Sequence, residues 1–358
     1  MISRVAVFGA GSVGLHHARA WSKAGSEVDV FDISKEAISR SKDLIWPGRY
    51  GAPAPNEVDF RHYAAVSSLT RGYDLVIIGT PPDSHLDLLR QILDNQMSSI
   101  IMIQKPVSPP GEIPLDGFRA EAKRASVKGI KLLSGYNHRH SPLFSKFIEE
   151  IQSVKSSGLN SAHLEVSWRE PWGGILAAHP WLADIHESYL GHTARGGGAL
   201  FEHSHGLDLG LLSFGLVSGD SNAILRDASL TWSNSELHDT DAVAVFSDQD
   251  QRFVLTVNQG VLVKNTEKSL RFTSSPLKME LTFSSDLESL MIAGTDRQVE
   301  SLNREKTRES DFDMEVHALK EMLSGSSLSH SAIDLWSFDS ALETSEKATE
   351  VLGCALRA

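Results

Sequence analysis

Cysteine is almost absent from this chain, which contains Cys354 alone among its 358 residues. An intrachain disulfide needs two cysteines and a cysteine zinc cluster needs more, so neither can form. The lack of disulfides fits a reducing compartment. No apolar run reaches the roughly 20 residues of a membrane helix, and no basic-then-apolar leader precedes the first predicted strand. We therefore expect a soluble, cytoplasmic protein with no membrane partner.

Positive charge is also scarce, since 34 Lys and Arg residues stand against 46 Asp and Glu residues, for a net charge of −12. Binding to nucleic acid depends on clustered cations, and the sequence has no extended basic run. We therefore expect no nucleic-acid partner. The 15 histidines include none of the usual zinc spacings, such as His-Glu-x-x-His, so no metal site is predicted.

A dinucleotide-binding pattern stands near the start of the chain. The apolar run from Val5 to Phe8 is typical of a strand that is buried on both faces. Three glycines then follow with the spacing GxGxxG. Gly9 permits a tight turn, Gly11 lets the backbone approach a pyrophosphate, and Gly14 lets the next helix pack closely on the strand. These glycines are predicted to bind the cofactor.

The residues after this turn extend the cofactor prediction. Ser12 and Val13 begin the helix, whose free N–H groups and positive dipole end attract phosphates. Asp32 ends the second strand about 20 residues further on, where its carboxylate can accept hydrogen bonds from the adenosine ribose. That charge favours NAD, because it repels the 2′-phosphate of NADP. Lys35 and Arg40 are close enough in the sequence to leave NADP open.

The pattern of strands and helices divides the chain into two parts. Apolar strands alternate with amphipathic helices up to a strand at Ile130–Gly135, which is typical of a doubly wound unit. Beyond Ser141, successive strands without intervening helices indicate a mostly antiparallel sheet. We therefore predict an α/β protein with a Rossmann domain of residues 1–128, built on a doubly wound parallel sheet. Residues 129–358 are predicted to form an α+β substrate-binding and oligomerisation domain with a large, mostly antiparallel, open-faced sheet.

Three further local predictions bear on the site and its surroundings. Three prolines and two glycines predict a loop over Trp46–Asn56. One long helix is predicted over about Gly198–Phe214, between strands of the second sheet. A helical pattern over Ser337–Leu356 closes the chain, and this helix is positioned to pack back on the first domain.

Five stretches, in order, carry a resemblance to a known family: Gly9–Gly14 followed by His17, Gly79–His85, Gln104–Pro106, Gly135–Pro142 and Gly196–Asp208. Together they are similar to the motifs of the glucose–fructose oxidoreductase/inositol dehydrogenase family, often called Gfo/Idh/MocA, in its sugar-acting branch. The resemblance implies a Rossmann domain followed by an open-faced sheet domain, with a carbohydrate substrate between them. It also implies a homo-oligomer, a dimer or a tetramer, with a contact through the second sheet.

The same resemblance adds cofactor residues beyond the glycine turn. Thr80, Pro81 and His85 look like the family's Thr-Pro…His turn, and Gln104 stands where the family usually has glutamate. We predict that these four residues contact the cofactor. For His85 the alternative is a scaffolding role in the loops that hold the cofactor, and the same alternative applies to His16 and His17.

Lys105 is the first candidate for the chemistry. Oxidation of a carbinol by hydride transfer needs a nicotinamide against the carbon and a group that takes the hydroxyl proton. Lys105 follows an Ile-rich strand at the edge of the sheet where ligands bind in such folds. Its ammonium can hydrogen-bond the reacting oxygen. The bond between Lys105 and Pro106 is a candidate cis peptide.

The second group of candidates lies in the predicted long helix. Glu202, His205 and Asp208 have the spacing i, i+3 and i+6, which places them on roughly one helix face. His205 suits proton transfer because histidine titrates near neutrality. We predict His205 as the acid/base, with Lys105 polarising the same oxygen and Asp208 supporting the pair. Glu202 is either a ligand of a substrate hydroxyl or a support.

Further side chains are predicted to contact the substrate, because sugar hydroxyls or an attached anionic group call for hydrogen-bond donors. These donors are Arg139, Arg169, Tyr189 and Arg195. Three tryptophans, which either form the floor of a sugar site or pack in the core, are Trp168, Trp172 and Trp181.

The sequence therefore predicts an NAD(P)-dependent oxidoreductase that acts on a secondary hydroxyl of a sugar, sugar derivative or inositol. One alternative is a glycosidase that uses bound NAD for transient oxidation and elimination. The other is a non-catalytic regulatory protein that senses NAD or a sugar. The glycosidase would retain its cofactor without net formation of NADH, and the sensor would bind ligand without turnover.

Overall fold

The computed structural model describes residues 2–69, 72–219, 222–275, 277–294, 297–325 and 333–357. Within these ranges two sheets organise the chain, a six-stranded one and an eight-stranded one. The predicted α/β class, with a parallel Rossmann sheet and a large, mostly antiparallel second sheet, is confirmed.

The first sheet is formed by short apolar strands that are buried on both faces. Its strands are β1 (Arg4–Phe8), β2 (Glu27–Asp32), β3 (Val58–His62), β4 (Leu75–Ile78), β5 (Ile100–Gln104) and β6 (Lys131–Gly135). All its pairings are parallel, in the order β3-β2-β1-β4-β5-β6. The chain reverses its direction of winding between β1 and β4, and ligands bind at such switch points in doubly wound sheets.

Five helices accompany the first sheet: α1 (Ser12–Lys23), α2 (Lys35–Arg40), α3 (Trp46–Tyr50), α4 (His85–Asn95) and α5 (Glu112–Val127). The Ser34 hydroxyl accepts the N–H of Ala37 and so caps α2. The predicted loop over Trp46–Asn56 is wrong in its first half, because Pro47 stands in the first turn of α3, where a missing N–H costs nothing. Strand β3 was not predicted.

The second sheet is formed by longer strands in which buried and more exposed residues alternate. Its strands are β7 (Ala162–Arg169), β8 (Ile224–Trp232), β9 (Asp239–Ser247), β10 (Phe253–Gly260), β11 (Glu267–Thr273), β12 (Leu277–Phe283), β13 (Leu287–Gly294) and β14 (Arg297–Glu305). The order is β14-β13-β12-β11-β7-β10-β9-β8, and among the described strands of this second sheet only β7 and β10 are parallel neighbours. The sequence pattern did not predict β13 and β14.

The other six helices are α6 (Pro142–Ser156), α7 (Trp172–Ala177), α8 (Gly198–Glu202), α9 (Ser204–Ser218), α10 (Arg308–Ser324) and α11 (Phe338–Ala355). Helices α6 and α9 cover one face of the second sheet. On the other face Val243 and Met291 are exposed, so the sheet is open on that side.

The two C-terminal helices pack against both parts of the chain. Phe312 and Val316 of α10 belong to the core that surrounds α1. Phe338 of α11 belongs to the core beside α4 and α5, whereas Val351, further along the same helix, belongs to the core of the second sheet. The sixth strand, which follows residue 128, pairs with β5 in the first sheet. The division of the chain at residue 128 stays a prediction.

The predicted long helix over Gly198–Phe214 is wrong, because the backbone leaves helical geometry at His203 (φ −92°, ψ 19°). The two resulting helices are held by different strands. The N–H of Leu200 in α8 donates to the carboxylate of Asp239 in β9, at 2.7 Å. In α9, a Cβ on Gly206 would lie 2.6 Å from Cβ of Trp168 in β7, so only glycine permits this close packing.

A buried ion pair connects the end of β6 to α9. The Arg139 guanidinium donates to both carboxylate oxygens of Asp208, with 2.8 Å between Nε and Oδ2, and both side chains are inaccessible to solvent. The Thr344 hydroxyl of α11 donates to the same carboxylate at 3.0 Å. Arg139 also donates to the backbone carbonyls of Leu335 and Ser337. The pair therefore holds β6, α9 and the entry to α11 together.

We predict that Asp208→Ala lowers the free energy of unfolding by about 3–5 kcal/mol, because it leaves the Arg139 charge buried and unpaired. The measurement is urea denaturation followed by circular dichroism. Asp116→Ala is the matched control, since its pair with Arg119 is exposed and such pairs contribute at most about 1 kcal/mol. Equal effects of the two substitutions would contradict this account.

Candidate active site

A cleft of about 650 Å³ opens at the carboxyl end of the first sheet. We call it the cofactor cleft. Its floor comes from the turn between β1 and α1, and further walls come from the segments that follow β4 and β5. Predicted cofactor residues that line it are Gly9, Gly11, Ser12, Val13, Asp32, Thr80, Pro81 and Gln104. Gly14 lies behind this lining, in the contact between helix and strand.

Each glycine of the turn has a separate steric reason. Gly9 has φ +104°, and a Cβ on it would lie 2.6 Å from the carbonyl oxygen of Gly79. A Cβ on Gly14 would lie 1.9 Å from the carbonyl oxygen of Gly9, so α1 packs directly on the turn. A Cβ on Gly11 would meet no atom within 4 Å, which leaves space in front of the helix.

The residues at the start of α1 suit a phosphate group. No side chain caps the N-terminus of this helix, so its first N–H groups are available. The Ser12 hydroxyl oxygen is buried and has no hydrogen-bond partner in the described structure. A dinucleotide bound with its pyrophosphate in front of Gly11 would accept hydrogen bonds from the N–H groups of the helix and from the Ser12 hydroxyl. The cleft therefore fits the cofactor that its sequence predicts.

Asp32 is held beside the glycine turn. Its Oδ2 accepts the N–H of Ala10 at 2.9 Å, and its Oδ1 accepts the N–H of Ser34 at 2.9 Å. Arg40 also lines the cleft, with its guanidinium carbon 5.1 Å from the centre of a Trp181 ring. A carboxylate and a guanidinium thus both face the region where an adenosine ribose would bind.

His85 does not line the cofactor cleft, which corrects its predicted role as a direct cofactor contact. Its ring nitrogens lie 2.7 Å from the carbonyl oxygen of Thr80 and 3.2 Å from that of Val107. The side chain is inaccessible to solvent. Burial lowers the pKa of His85 and its hydrogen bonds to the carbonyls oppose that shift. His85 therefore joins the loops that follow β4 and β5, which is the scaffolding alternative.

A second cavity, of about 360 Å³, adjoins the cofactor cleft. We call it the reaction cavity. The two share Val13, Gln104, Lys105, His179 and Tyr189 in their walls. The cavity is therefore the place where a substrate can meet a cofactor bound in the cleft.

Lys105 stands at the junction of the cleft and the cavity. It follows β5 directly, and its peptide bond to Pro106 is cis. Its Nζ donates to the backbone oxygen of Glu202 at 2.6 Å and lies 3.1 Å from Oε1 of the same residue. An ammonium has three N–H donors, so one is left for a substrate oxygen.

Glu202 is held from two sides. The Tyr189 hydroxyl donates to its Oε2 at 3.1 Å, opposite the contact with Lys105. Burial acts to raise the pKa of Glu202, but the charge of Lys105, its hydrogen bond and the neighbouring histidines together outweigh burial, and the pKa lies below its ordinary value. Burial and the neighbouring Glu202 raise the pKa of Tyr189 well above its ordinary value, so the phenol keeps its proton.

His205 also lines the reaction cavity, so the structure brings it to the same space as Lys105, Tyr189 and Glu202. Its ring lies edge-on to that of His138, with 4.7 Å between the ring centres. Its Nδ1 is buried without a hydrogen-bond partner. Burial, followed by the neighbouring His138 and then the charge of Lys105, lowers the pKa of His205 well below 6.5. The imidazole is therefore neutral at physiological pH and can accept a proton.

Asp208 and Arg139 are not at this cavity, which corrects the roles predicted for both. Asp208 lies in α9 together with His205, but its carboxylate accepts two hydrogen bonds from Arg139 and does not line the reaction cavity. Arg139 is fully buried, and its guanidinium donates hydrogen bonds to Asp208 and to backbone carbonyls. Neither side chain is available to a substrate, so both serve the structure.

The remaining predicted contacts are distributed among different places. Arg169 pairs with Asp241 at 3.1 Å and does not line the reaction cavity, which corrects its predicted substrate role. Arg195 lines the cofactor cleft and pairs with Asp83 at 2.6 Å. The three tryptophans form no common floor: Trp168 lines the reaction cavity, Trp181 lines the cofactor cleft, and Trp172 packs on His238.

Three cations at the reaction cavity were not predicted from the sequence: Lys268 on β11, and Lys306 and Arg308, which follow β14. They follow no recognised motif and are separated from Lys105 by more than 160 residues, so no local pattern indicates them. Lys268 pairs with Glu170 at 2.7 Å, and Lys306 pairs with Asp311 at 2.6 Å.

Among the described residues no group of three or more His, Cys, Asp or Glu side chains has an arrangement that could hold a metal ion. No helix in the described part of the chain is both long and apolar enough to span a membrane.

The fold and the cleft together define an NAD-binding oxidoreductase architecture, and comparison with known families agrees. Residues 3–128 match the GFO_IDH_MocA family model, described as an oxidoreductase family with an NAD-binding Rossmann fold. This match covers the first sheet and its helices, and it agrees with the resemblance that the motifs carry. No curated protein sequence matches the chain.

Solved structures share the fold over the full length. UDP-N-acetylglucosamine 3-dehydrogenase GnnA from Acidithiobacillus ferrooxidans is 16% identical with a TM-score of 0.70, over 99% of each chain. KijD10, a 3-ketoreductase from Actinomadura kijaniata in complex with NADP and TDP-benzene, is 13% identical with a TM-score of 0.70, over 99% of this chain and 98% of its own. A super-repressor mutant of Gal80p from Saccharomyces cerevisiae is 14% identical with a TM-score of 0.71, over 100% of this chain and 96% of its own.

We predict that Gly11→Ala weakens NAD binding by about ten-fold or more, because its methyl group would occupy the space in front of α1. Folding should not change, since Gly11 has an ordinary φ of −85° and the methyl group meets no protein atom. NAD affinity is measured by calorimetric titration and stability by thermal denaturation. Gly48→Ala, with equally open space around its Cβ, is the control. Wild-type NAD affinity in Gly11→Ala would contradict the assignment of the cleft.

Proposed function

We propose that this protein is an NAD(P)-dependent oxidoreductase that transfers a hydride between the nicotinamide and a secondary hydroxyl of a sugar, sugar derivative or inositol. The observation that carries the proposal is the position of Lys105, which lies in the walls of both the cofactor cleft and the reaction cavity. A lysine in that position can contact a substrate oxygen next to the reacting end of the cofactor.

NAD is the preferred cofactor in this proposal. The Asp32 carboxylate is fixed by two backbone N–H groups at the edge of the cleft, so it cannot easily turn away from a ribose. Its charge repels a 2′-phosphate, whereas a ribose hydroxyl can donate to it. Arg40 would permit NADP binding, because its guanidinium lines the same cleft and can pair with the 2′-phosphate.

The proton is handled by His205 and Lys105. A nicotinamide held in the cofactor cleft would supply the hydride acceptor for the carbon that is oxidised. The neutral imidazole of His205 accepts the hydroxyl proton, and the free N–H of Lys105 donates to the same oxygen as the C–O bond becomes a carbonyl. Glu202 holds the Lys105 ammonium at the edge of the cavity, and the Tyr189 hydroxyl keeps Glu202 in place. In the reducing direction the two residues return the proton.

The proposal extends to the oligomeric state of the protein and to its location in the cell. A second copy of the chain is proposed to bind the open face of the second sheet, on which Val243 and Met291 are exposed. The protein is proposed to act in the cytoplasm, which fits its single cysteine.

We predict that Lys105→Met and His205→Gln each lower kcat/KM by about 10²-fold or more, because each removes a group that acts on the reacting oxygen. The assay is a screen of sugars and inositols with NAD and with NADP, followed by the absorbance of the reduced cofactor. His317→Gln, an exposed histidine on α10, is the matched control.

Three outcomes of this screen are informative. Reduced cofactor with one class of polyol, lost in both variants, supports the proposal. Cofactor that stays bound while a glycoside is hydrolysed, without net reduction, would instead show the glycosidase. Ligand binding without any turnover would show a sensor and overturn the proposal.

The pH dependence is a separate prediction. The lowered pKa of His205 means that its base form persists as the pH falls through 6.5, and is lost only at lower pH. We therefore expect kcat/KM for oxidation to show no protonation step at or above about pH 6.5 that depends on His205. Wild type and His205→Gln are compared across the pH range. An acidic limb centred near neutrality in wild type alone would contradict the assignment.

A further inference from the structure

One cation at the reaction cavity lacks a counter-charge. Four cationic side chains line this cavity and three of them face a carboxylate at ion-pair distance: Lys105 with Glu202, Lys268 with Glu170, and Lys306 with Asp311. Arg308 is the fourth. It has neither an ion pair nor a hydrogen bond in the described part of the chain, although this chain carries 12 more acidic than basic residues.

Arg308 stands where the cavity meets solvent. It is the first residue of α10, directly after the end of β14, and its side chain is exposed. Thr266, Ser284 and Ser285 line the same cavity and are also exposed. Lys105, by contrast, also lines the cofactor cleft and so marks the other end of the cavity. A substrate in the cavity would therefore place its reacting hydroxyl at Lys105 and another part of itself near Arg308.

In the free protein the charge of Arg308 repels the cations near it, although it also favours the ionised form of Glu170. Burial lowers the pKa of Lys268, Glu170 opposes that shift, and the charge of Arg308 lowers the pKa further. The charge of Arg308 likewise adds to the burial that lowers the pKa of His138. These effects are the repulsion expected when a fourth cation joins three others in a small space. A bound anion would remove that repulsion.

We propose that the substrate is an anionic sugar or polyol, whose carboxylate or phosphate pairs with Arg308 at the open end of the reaction cavity. The inference rests on the proposed function, because it names the class of substrate for the same site. A guanidinium offers a planar pair of donors that matches two oxygens of either group. The hydroxyls of Thr266 and Ser285 provide further donors beside it. Arg308 is then the residue that selects charged over neutral substrates.

The test compares ligands that differ only in charge. Full-length protein loaded with NAD is titrated with D-glucose, D-glucuronate and D-glucose 6-phosphate, and with myo-inositol and myo-inositol 1-phosphate, by calorimetry. We expect at least one charged ligand to bind about ten-fold or more tightly than its neutral parent, the effect of one charge-assisted pair. A preference for glucuronate identifies a carboxylate site, and a preference for either phosphate identifies a phosphate site.

Substitution assigns that preference to its residue. Arg308→Gln should remove the advantage of the charged ligand, and Arg308→Lys should keep part of it. NAD affinity and thermal stability should not change, since Arg308 makes no described contact that would be lost. Arg271→Gln, which removes an arginine paired with Glu280 on the second sheet, is the matched control.

Two results would overturn the proposal: charged ligands that bind no better than their neutral parents or do not bind, and an unchanged preference in Arg308→Gln. Turnover of neutral sugars without preference for charge would overturn this inference and leave the oxidoreductase proposal standing. Binding of a charged sugar through Arg308 without formation of any reduced cofactor would support this inference and overturn the oxidoreductase proposal. The two proposals can therefore fail separately.

Discussion

The ion pair between Lys105 and Glu202 connects the two halves of the site. Lys105 directly follows a strand of the parallel sheet, and Glu202 ends a short helix that is anchored to the second sheet. Both side chains are largely shielded from water, so separating them would leave charges poorly solvated. The pair thus fixes the reaction cavity against the cofactor cleft, and the Tyr189 hydroxyl completes it from the second side.

The groups around this ion pair have one electrostatic property in common. Burial lowers the pKa values of the histidines that line the cavity, to about 4 in His203 and well below 6.5 in His205 and His138. These rings are consequently neutral, and the charges of the cavity are those of its lysines, carboxylates and Arg308. A neutral imidazole beside a charged ammonium is an arrangement suited to proton transfer, because one group accepts while the other stabilises negative charge.

The parts of this site that the sequence predicted are those built within one local segment. The spacing of Gly9, Gly11 and Gly14 predicts the cofactor turn. Within six residues, it meets the needs of a tight backbone turn, a close approach to the pyrophosphate and a close contact between helix and strand. Asp32 follows from the same strand-turn-helix unit. Asp208 shows the opposite case: its spacing from His205 suggested a shared role, but the buried guanidinium of Arg139, 69 residues earlier in the chain, binds its carboxylate away from the reaction cavity. Lys268, Lys306 and Arg308 carry no local pattern at all.

The sequence alone therefore determined the class of the fold, the cofactor turn and the two residues proposed to handle the proton. These features depend on short-range properties, namely the burial of a strand, the spacing of glycines and a charge next to the end of a strand. Such properties can be recognised in the sequence itself. The tertiary structure decided which of the polar residues face the reaction cavity and which form hydrogen bonds and ion pairs in the core. That choice depends on how α8, α9 and the strands of the second sheet pack. Packing brings together residues that are distant in the chain, so no local pattern encodes it.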